Sequence, residues 1–302
     1  RTKIGGSATG GFTTAIIMGG EIPGPAGAQS VDTETYNGTN WTEVNNLNTK
    51  RILSGGAGTQ TAGLAMGGEP SSDATELWNG TNWTSVNNLN RSNAYGVGTG
   101  TQTSALYIGG EPFTGATESW NGTNWTELSD LNDPRRQLGG TGIAANTAAI
   151  VGGGNKPPNA TVPNAENWNG SNWTEIADMN TARKELGGAG TNTSALFYGG
   201  SPTPAATELW TTGGNLNTAR TNISGAGTIS AFVAFGGQSG GTVYAQTELY
   251  NGSSWTEVND LNTGRYALGG NGTSTSSLAY GGTPPTTAAT ELWNGTNWTE
   301  VN

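Results

Sequence analysis

Thr75-Glu76-Leu77-Trp78-Asn79-Gly80-Thr81-Asn82-Trp83-Thr84 reads as a strand, a tight turn and a second strand. Asn-Gly is a strong hairpin signal, because it supplies positive-φ backbone that matches the twist of paired strands. The stretch returns as Glu118-Ser119-Trp120-Asn121-Gly122-Thr123-Asn124-Trp125 and as Glu291-Leu292-Trp293-Asn294-Gly295-Thr296-Asn297-Trp298. Weaker copies begin at Glu34, Glu166 and Glu248, and a truncated one begins at Glu208. A unit recurring at this spacing implies a repeat architecture, in which each unit buries its faces against its neighbours.

Working outward from the hairpin, each unit carries two further landmarks. A basic residue precedes a Gly-rich strand, as in Arg51-Ile52-Leu53-Ser54-Gly55-Gly56. A small-plus-apolar strand then ends in a Gly pair, as in Ala62-Gly63-Leu64-Ala65-Met66-Gly67-Gly68. Such pairs fall at Gly19-Gly20, Gly67-Gly68, Gly109-Gly110, Gly152-Gly153, Gly199-Gly200, Gly236-Gly237 and Gly281-Gly282, which marks seven units. Their approximate spans are 1–48, 49–90, 91–132, 133–180, 181–217, 218–262 and 263–302.

Four strands per unit at this period predict an all-β, seven-bladed β-propeller of four-stranded antiparallel blades, forming one domain over 1–302. Nearly continuous apolar second strands, such as Leu106-Tyr107-Ile108 and Phe232-Val233-Ala234-Phe235, suit sheets covered on both faces. Small residues in the first strand suit convergence at an axis. In the fifth unit, Trp210-Thr211-Thr212-Gly213-Gly214-Asn215-Leu216-Asn217 lacks the second Trp, so a shortened or missing outer strand is expected there. Glu76, Trp78, Trp83 and Arg51, with their copies, are read as blade-structural residues.

The order of landmarks resembles kelch repeats. That family has a Gly pair after its second strand, an aromatic in the third, a Trp opening the fourth and a basic residue before the next first strand. Here these correspond to Gly67-Gly68, Trp78, Trp83 and the Arg or Lys before each Gly-rich strand. The resemblance covers essentially the whole chain and implies antiparallel four-stranded blades and a role in protein binding. One departure is that Trp replaces the usual third-strand Tyr in several units, Tyr36 and Tyr250 excepted. The Thr, Asn and Gly bias is also similar to kelch-like proteins of phage tails and virion surfaces.

Composition narrows the chemistry. The chain of 302 residues has no Cys and no His, which excludes thiol nucleophiles, the usual zinc sites and the copper centre of kelch-related oxidases. A Ser or Thr nucleophile would lack a His base. The repeated carboxylates Glu34, Glu76, Glu118, Glu166, Glu208, Glu248 and Glu291 are related by pseudo-rotation, and seven equivalents are a fold element, not a matched acid and base. Their expected partners are Lys3, Arg51, Arg183, Arg220 and Arg265, or backbone N–H groups. The third unit has Asn93 at the basic position, so Glu118 is expected to find a different partner and a shifted pKa. No catalytic, cofactor-binding or metal-binding residue is expected, and no cofactor.

A net charge of -10 without a basic run argues against nucleic acid as a partner. No apolar run approaches membrane-spanning length, so no membrane insertion is expected. Asn37-Gly38-Thr39 and its copies match the glycosylation acceptor pattern, which Asn-Gly turns flanked by Thr also generate by composition. The connections from the Gly pair to the Glu are long in three units, at 21–33, 154–165 and 238–247, and all emerge on one propeller face. Variable loops on one rim are where a partner site is sought. Phe113, Tyr244, Glu21 and Lys156 are the candidate contacts. The expected function is a non-enzymatic structural or interaction protein, extracellular or on a virion, whose partners are other virion or surface proteins or host-surface glycans. A carbohydrate-binding, lectin-like propeller is the alternative, with one weak site per blade on Trp78, Trp120, Trp168, Trp210 and Trp293 as one form of it.

Overall fold

A computed structural model describes all residues except 1–4, 8–13, 23–27, 53, 71, 142–145, 193, 203–206, 210–215, 229, 285–288 and 302. It shows an all-β, seven-bladed propeller in which every blade sheet is antiparallel and comes from one contiguous stretch. The second blade is typical. Its inner strand Gly55–Thr59 pairs with Ala62–Met66, which pairs with Thr75–Trp78, which pairs with the outer strand Trp83–Ser85. The fifth blade has three described strands, Gly187–Thr191, Ser194–Tyr198 and Thr207–Leu209. The expected defect in its outer strand falls at Trp210–Asn215, outside the described residues.

The inner strands pack side by side around the axis, and their composition follows from that proximity. A Cβ added at Gly98 would lie 2.8 Å from the Gly56 nitrogen of the neighbouring blade, closer than a carbon can sit. The second strands are buried on both faces, as in Ala105–Ile108, because a blade is covered on each side by its neighbours.

The hairpin of the opening motif closes with Asn79 N–H donating to Asn82 O at 3.2 Å. Gly80 is the positive-φ residue of the pair, at 91°. Asn79 works through its side chain instead: Oδ1 accepts from Thr81 N at 2.9 Å and from Asn82 N at 2.8 Å. The two Trp residues flank this turn with ring centroids 5.3 Å apart. Trp78 is fully buried and donates to Gln60 O at 2.8 Å. Trp83 reaches into the preceding blade and donates to Thr33 Oγ1 at 2.9 Å. Trp120, Trp168 and Trp293 are likewise at 0% exposure, which overturns a sugar-stacking site on these rings. Trp210 lies outside the described residues.

The buried polar frame holds as expected, with two corrections and one substitution. Arg51 donates to Gly67 O and Ala74 O at 3.0 and 2.8 Å, and to Glu76 Oε1 at 2.6 Å. Glu76 also accepts from Asn48 N and Thr49 N, so both its oxygens are bound. Arg220–Glu248 and Arg265–Glu291 repeat the pair at 2.6 and 2.7 Å. Arg135–Glu166 does so at 2.6 Å and was not foreseen, because the fourth blade spaces its landmarks differently. Its positive-φ pair is Gly153-Gly154, one residue beyond the expected Gly152-Gly153, since Gly152 still pairs in the strand with Gly139. In the first blade, Gly5 pairs with Met18 as Gly55 pairs with Met66. The expected partner of Glu34, Lys3, lies outside the described residues. In the third blade Asn93 donates to Gly109 O at 2.7 Å, and Glu118 is left with Asn90 and Arg91 N–H as donors.

Candidate functional site

The two faces of the propeller are built differently. One carries the Asn-Gly turns and the short turns between first and second strands. The other carries the connections between second and third strands and the crossings into the next blade. The crossing has a fixed backbone path. The residue after the Arg position forms an isolated bridge with the residue after the Gly pair, as Ala94 does with Glu111, Arg136 with Asn155 and Tyr266 with Thr283. The next residue then turns the chain toward the axis in the left-handed conformation. These residues are Tyr95, Gln137, Glu185, Asn222 and Ala267, with φ of 59°, 55°, 55°, 51° and 52°.

Their backbones link adjacent blades around the axis. Gln137 N–H donates to Tyr95 O at 3.1 Å, Glu185 N–H to Gln137 O at 2.8 Å, and Ala267 N–H to Asn222 O at 3.0 Å. These five residues therefore line part of the axial mouth on this face, a partial ring among the described residues. Gln137 Nε2 donates to Glu185 Oε1 at 2.7 Å, and Tyr95 Oη to Glu69 Oε2 at 3.4 Å. Glu185 is exposed, and Tyr95, Gln137 and Asn222 are half-buried.

This ring is conspicuous because of what glycine does elsewhere. Among the described residues, every other positive-φ position is Gly except Phe113 and Asn159. Those two also lie on this face. Left-handed backbone costs an L-residue about 1–2 kcal/mol, so a chain with 51 Gly has an inexpensive alternative at each ring position.

The four candidate contacts from sequence separate into one cluster and two isolated residues. Phe113 lies under the guanidinium of Arg136, with Cζ 4.3 Å from the ring centroid. Arg136 also pairs with Glu111 and donates to Asn159 Oδ1 at 2.9 Å. Lys156, on the same fourth-blade loop as Asn159, approaches Asp133 at 3.5 Å. That loop is ordered as a hairpin, Asn155–Lys156 against Ala160–Thr161. Tyr244 follows a second hairpin, Gln238–Ser239 against Thr242–Val243, and is tied down by its own backbone to Gly237 O at 2.9 Å. Glu21 bridges Gln29 in the first blade, and part of that loop, 23–27, is outside the described residues.

Sequence reading missed Arg136 and the axial ring. The signal for the ring was present: two residues after each basic landmark, or after Asn93 in its place, an otherwise regular crossing holds Leu53, Tyr95, Gln137, Glu185, Asn222 or Ala267. No protein-family model matches the chain, and no curated protein is significantly similar to it.

Proposed function

We propose that the chain is a non-enzymatic interaction protein of an extracellular or virion surface, which binds a partner protein through its loop-bearing face. The observation that carries this reading is the concentration of non-glycine left-handed residues on that face. Side chains retained at a backbone cost are retained for what they contact. The Phe113–Arg136–Asn159 cluster extends the ring outward over the third and fourth blades. Five of the seven repeated carboxylates, Glu76, Glu118, Glu166, Glu248 and Glu291, are 2% exposed or less, which argues against their use as reactive groups.

A carbohydrate ligand is the second reading. Gln137, Glu185 and Asn222 are planar polar groups able to donate to and accept from hydroxyls, and Tyr95 adds a ring beside them. The test is a variant with Gly at 95, 137, 185 and 222, compared with the unmodified chain on a glycan array and in cross-linking to intact virion or cell-surface preparations. Binding should be lost in the ring variant and kept when the exposed Asn-Gly turns are altered. Equal binding by the ring variant, or loss only with the turns, would move the site to the other face.

A further inference from the structure

The second, fourth, sixth and seventh blades each hold a guanidinium in the same frame of acceptors. In the second blade Arg51 donates to Gly67 O, Ala74 O and Glu76 Oε1. Arg135, Arg220 and Arg265 repeat all three bonds in their own blades. The frame is two backbone carbonyls and one buried carboxylate, set around a planar cation whose N–H groups point at them.

The third blade keeps this frame without the arginine. Asn93 stands at the Arg position, and its shorter side chain donates only to Gly109 O, at 2.7 Å. Ala116 O and Glu118 Oε1, the counterparts of Ala74 O and Glu76 Oε1, accept from backbone N–H groups alone. Yet the frame has not shifted. Gly109 and Gly110 have φ of 63° and 117°, against 62° and 115° at Gly67 and Gly68. Gly109 N–H donates to Ala116 O at 2.9 Å, as Gly67 N–H does to Ala74 O at 3.1 Å. Asn90 N–H donates to Glu118 Oε2 at 2.7 Å, the same distance as from Asn48 to Glu76.

No neighbouring side chain takes over the guanidinium's role. Arg91 turns outward to Glu127, and both are about half exposed. Tyr107 pairs in register with Glu118, but its ring lies toward the second blade, where a Cβ added at Gly67 would meet Oη at 2.9 Å. Its hydroxyl makes no bond to Glu118, and Asn93 Oδ1 is likewise buried without a partner. A carboxylate 2% exposed, a carbonyl and an orphaned amide oxygen are all acceptors. Such a set is satisfied by a cation that carries N–H donors.

We propose that the third blade binds a free guanidinium ion at Glu118 Oε1 and Ala116 O, in the position that the arginine head group takes in the other four blades. One edge of the ion donates to the carboxylate and the carbonyl, which leaves N–H groups for Asn93 Oδ1. The ligand is a small ion and not the side chain of a partner, because Asn93 and Glu118 are only 3% and 2% exposed. The site is separate from the loop-face contact surface and does not depend on it.

The experiment follows thermal unfolding of the unmodified chain, Asn93→Arg and Glu118→Gln. Guanidinium chloride is added up to about 20 mM, where its denaturing action is small, and sodium chloride at matched ionic strength is the reference. The midpoint of the unmodified chain should rise by roughly 1–3 °C and level off, as expected for a ligand that binds the folded state. Neither variant should respond: Asn93→Arg brings its own guanidinium, and Glu118→Gln has lost the charge that holds the ion. Each variant is read against its own sodium chloride reference, so either one is decisive if the other does not fold. Ammonium, which lacks the planar fork, should act more weakly, and potassium should not act. No saturable rise in the unmodified chain would overturn the proposal. So would an equal rise in either variant, or an equal rise with potassium.

Discussion

Arg51 donates through Nη2 to Glu76 Oε1 at 2.6 Å, and neither side chain is exposed to solvent. Burial lowers the affinity of Arg51 for its proton, and the Glu76 charge and hydrogen bond oppose that fall. Such a pair is poor evidence of net stability, because both ions were desolvated to form it. Breaking it is another matter. Arg51→Ala leaves Glu76 charged and buried, and removes the donor to Gly67 O and Ala74 O. It should cost about 3–5 kcal/mol in denaturant unfolding. Glu76→Gln should cost less, since the amide oxygen can still accept at one of the two positions, from Asn48 or from Thr49, and Arg51 keeps its carbonyl acceptors Gly67 O and Ala74 O. A larger loss for Glu76→Gln than for Arg51→Ala would mean that the guanidinium is not the centre of the frame.

The third blade tests the same frame by nature's own substitution. Glu118 is 2% exposed and has no guanidinium opposite it, because Asn93 stands there and Arg91 turns outward to Glu127. Burial raises the Glu118 pKa above the ordinary carboxylate value, with hydrogen bonds from Asn90 and Arg91 opposing the rise. The sign of the linkage follows. The native state holds this proton more tightly than the unfolded chain, so its contribution is fully present below the unfolded pKa. It is lost as pH rises through the folded one. Glu118→Gln should therefore match the unmodified chain at low pH and exceed it in stability near neutrality. Asn93→Arg should supply the missing donor and raise stability at neutral pH by about 1–2 kcal/mol. Unfolding midpoints over a pH series decide both. Parallel pH profiles for the unmodified chain and Glu118→Gln would remove Glu118 as the titrating group.

The repeat frame was legible in the sequence because its residues are bound to a period. Trp78, Trp83, Glu76 and the Gly pairs recur where the geometry recurs, and even the Asn93 exception could be read ahead as a change at Glu118. The slip at Gly152 has a simple origin: three consecutive Gly residues offer two registers, and only strand pairing chooses between them. Arg135 was hidden by its neighbour Arg136, which points outward to Phe113. The axial ring was harder to see, since its defining property is a backbone angle and its side chains share no chemistry. Nor do spacings reveal that Phe113, Arg136 and Asn159, from two different blades, converge on one patch.

The ring makes a stability prediction that is separate from binding. At φ near 55°, replacing Gln137 or Glu185 with Gly relieves left-handed strain and adds unfolded-state entropy. The net effect should lie between neutral and a gain of about 1 kcal/mol, with the exposed Gln137–Glu185 hydrogen bond adding little. The reverse exchange at the Asn-Gly turn, Gly80→Ala at φ 91°, should cost about 1 kcal/mol or more. Thermal unfolding of the three variants provides the comparison. If Gln137→Gly and Glu185→Gly both destabilise by more than that amount, their side chains are structural, and the case for the ring as a contact surface fails.

Trp83 and Thr33 test whether the opening motif acts within its blade or between blades. The indole N–H donates across the seam to Thr33 Oγ1 at 2.9 Å, and the two groups lie 50 positions apart in the chain. Trp83→Phe keeps most of the apolar ring and removes the donor, leaving a buried hydroxyl without its partner. That should cost about 1–3 kcal/mol, because an orphaned buried polar group costs more than the net value of the bond. Thr33→Val removes the acceptor and leaves the indole unsatisfied, at a similar cost. With both replaced, the seam is apolar on both sides, and the double variant should be more stable than the sum of the single losses implies. A coupling of about 1 kcal/mol in a double-mutant cycle would place the latch between blades. Additivity within about 0.3–0.5 kcal/mol would instead assign the Trp83 contribution to ring packing against Trp78.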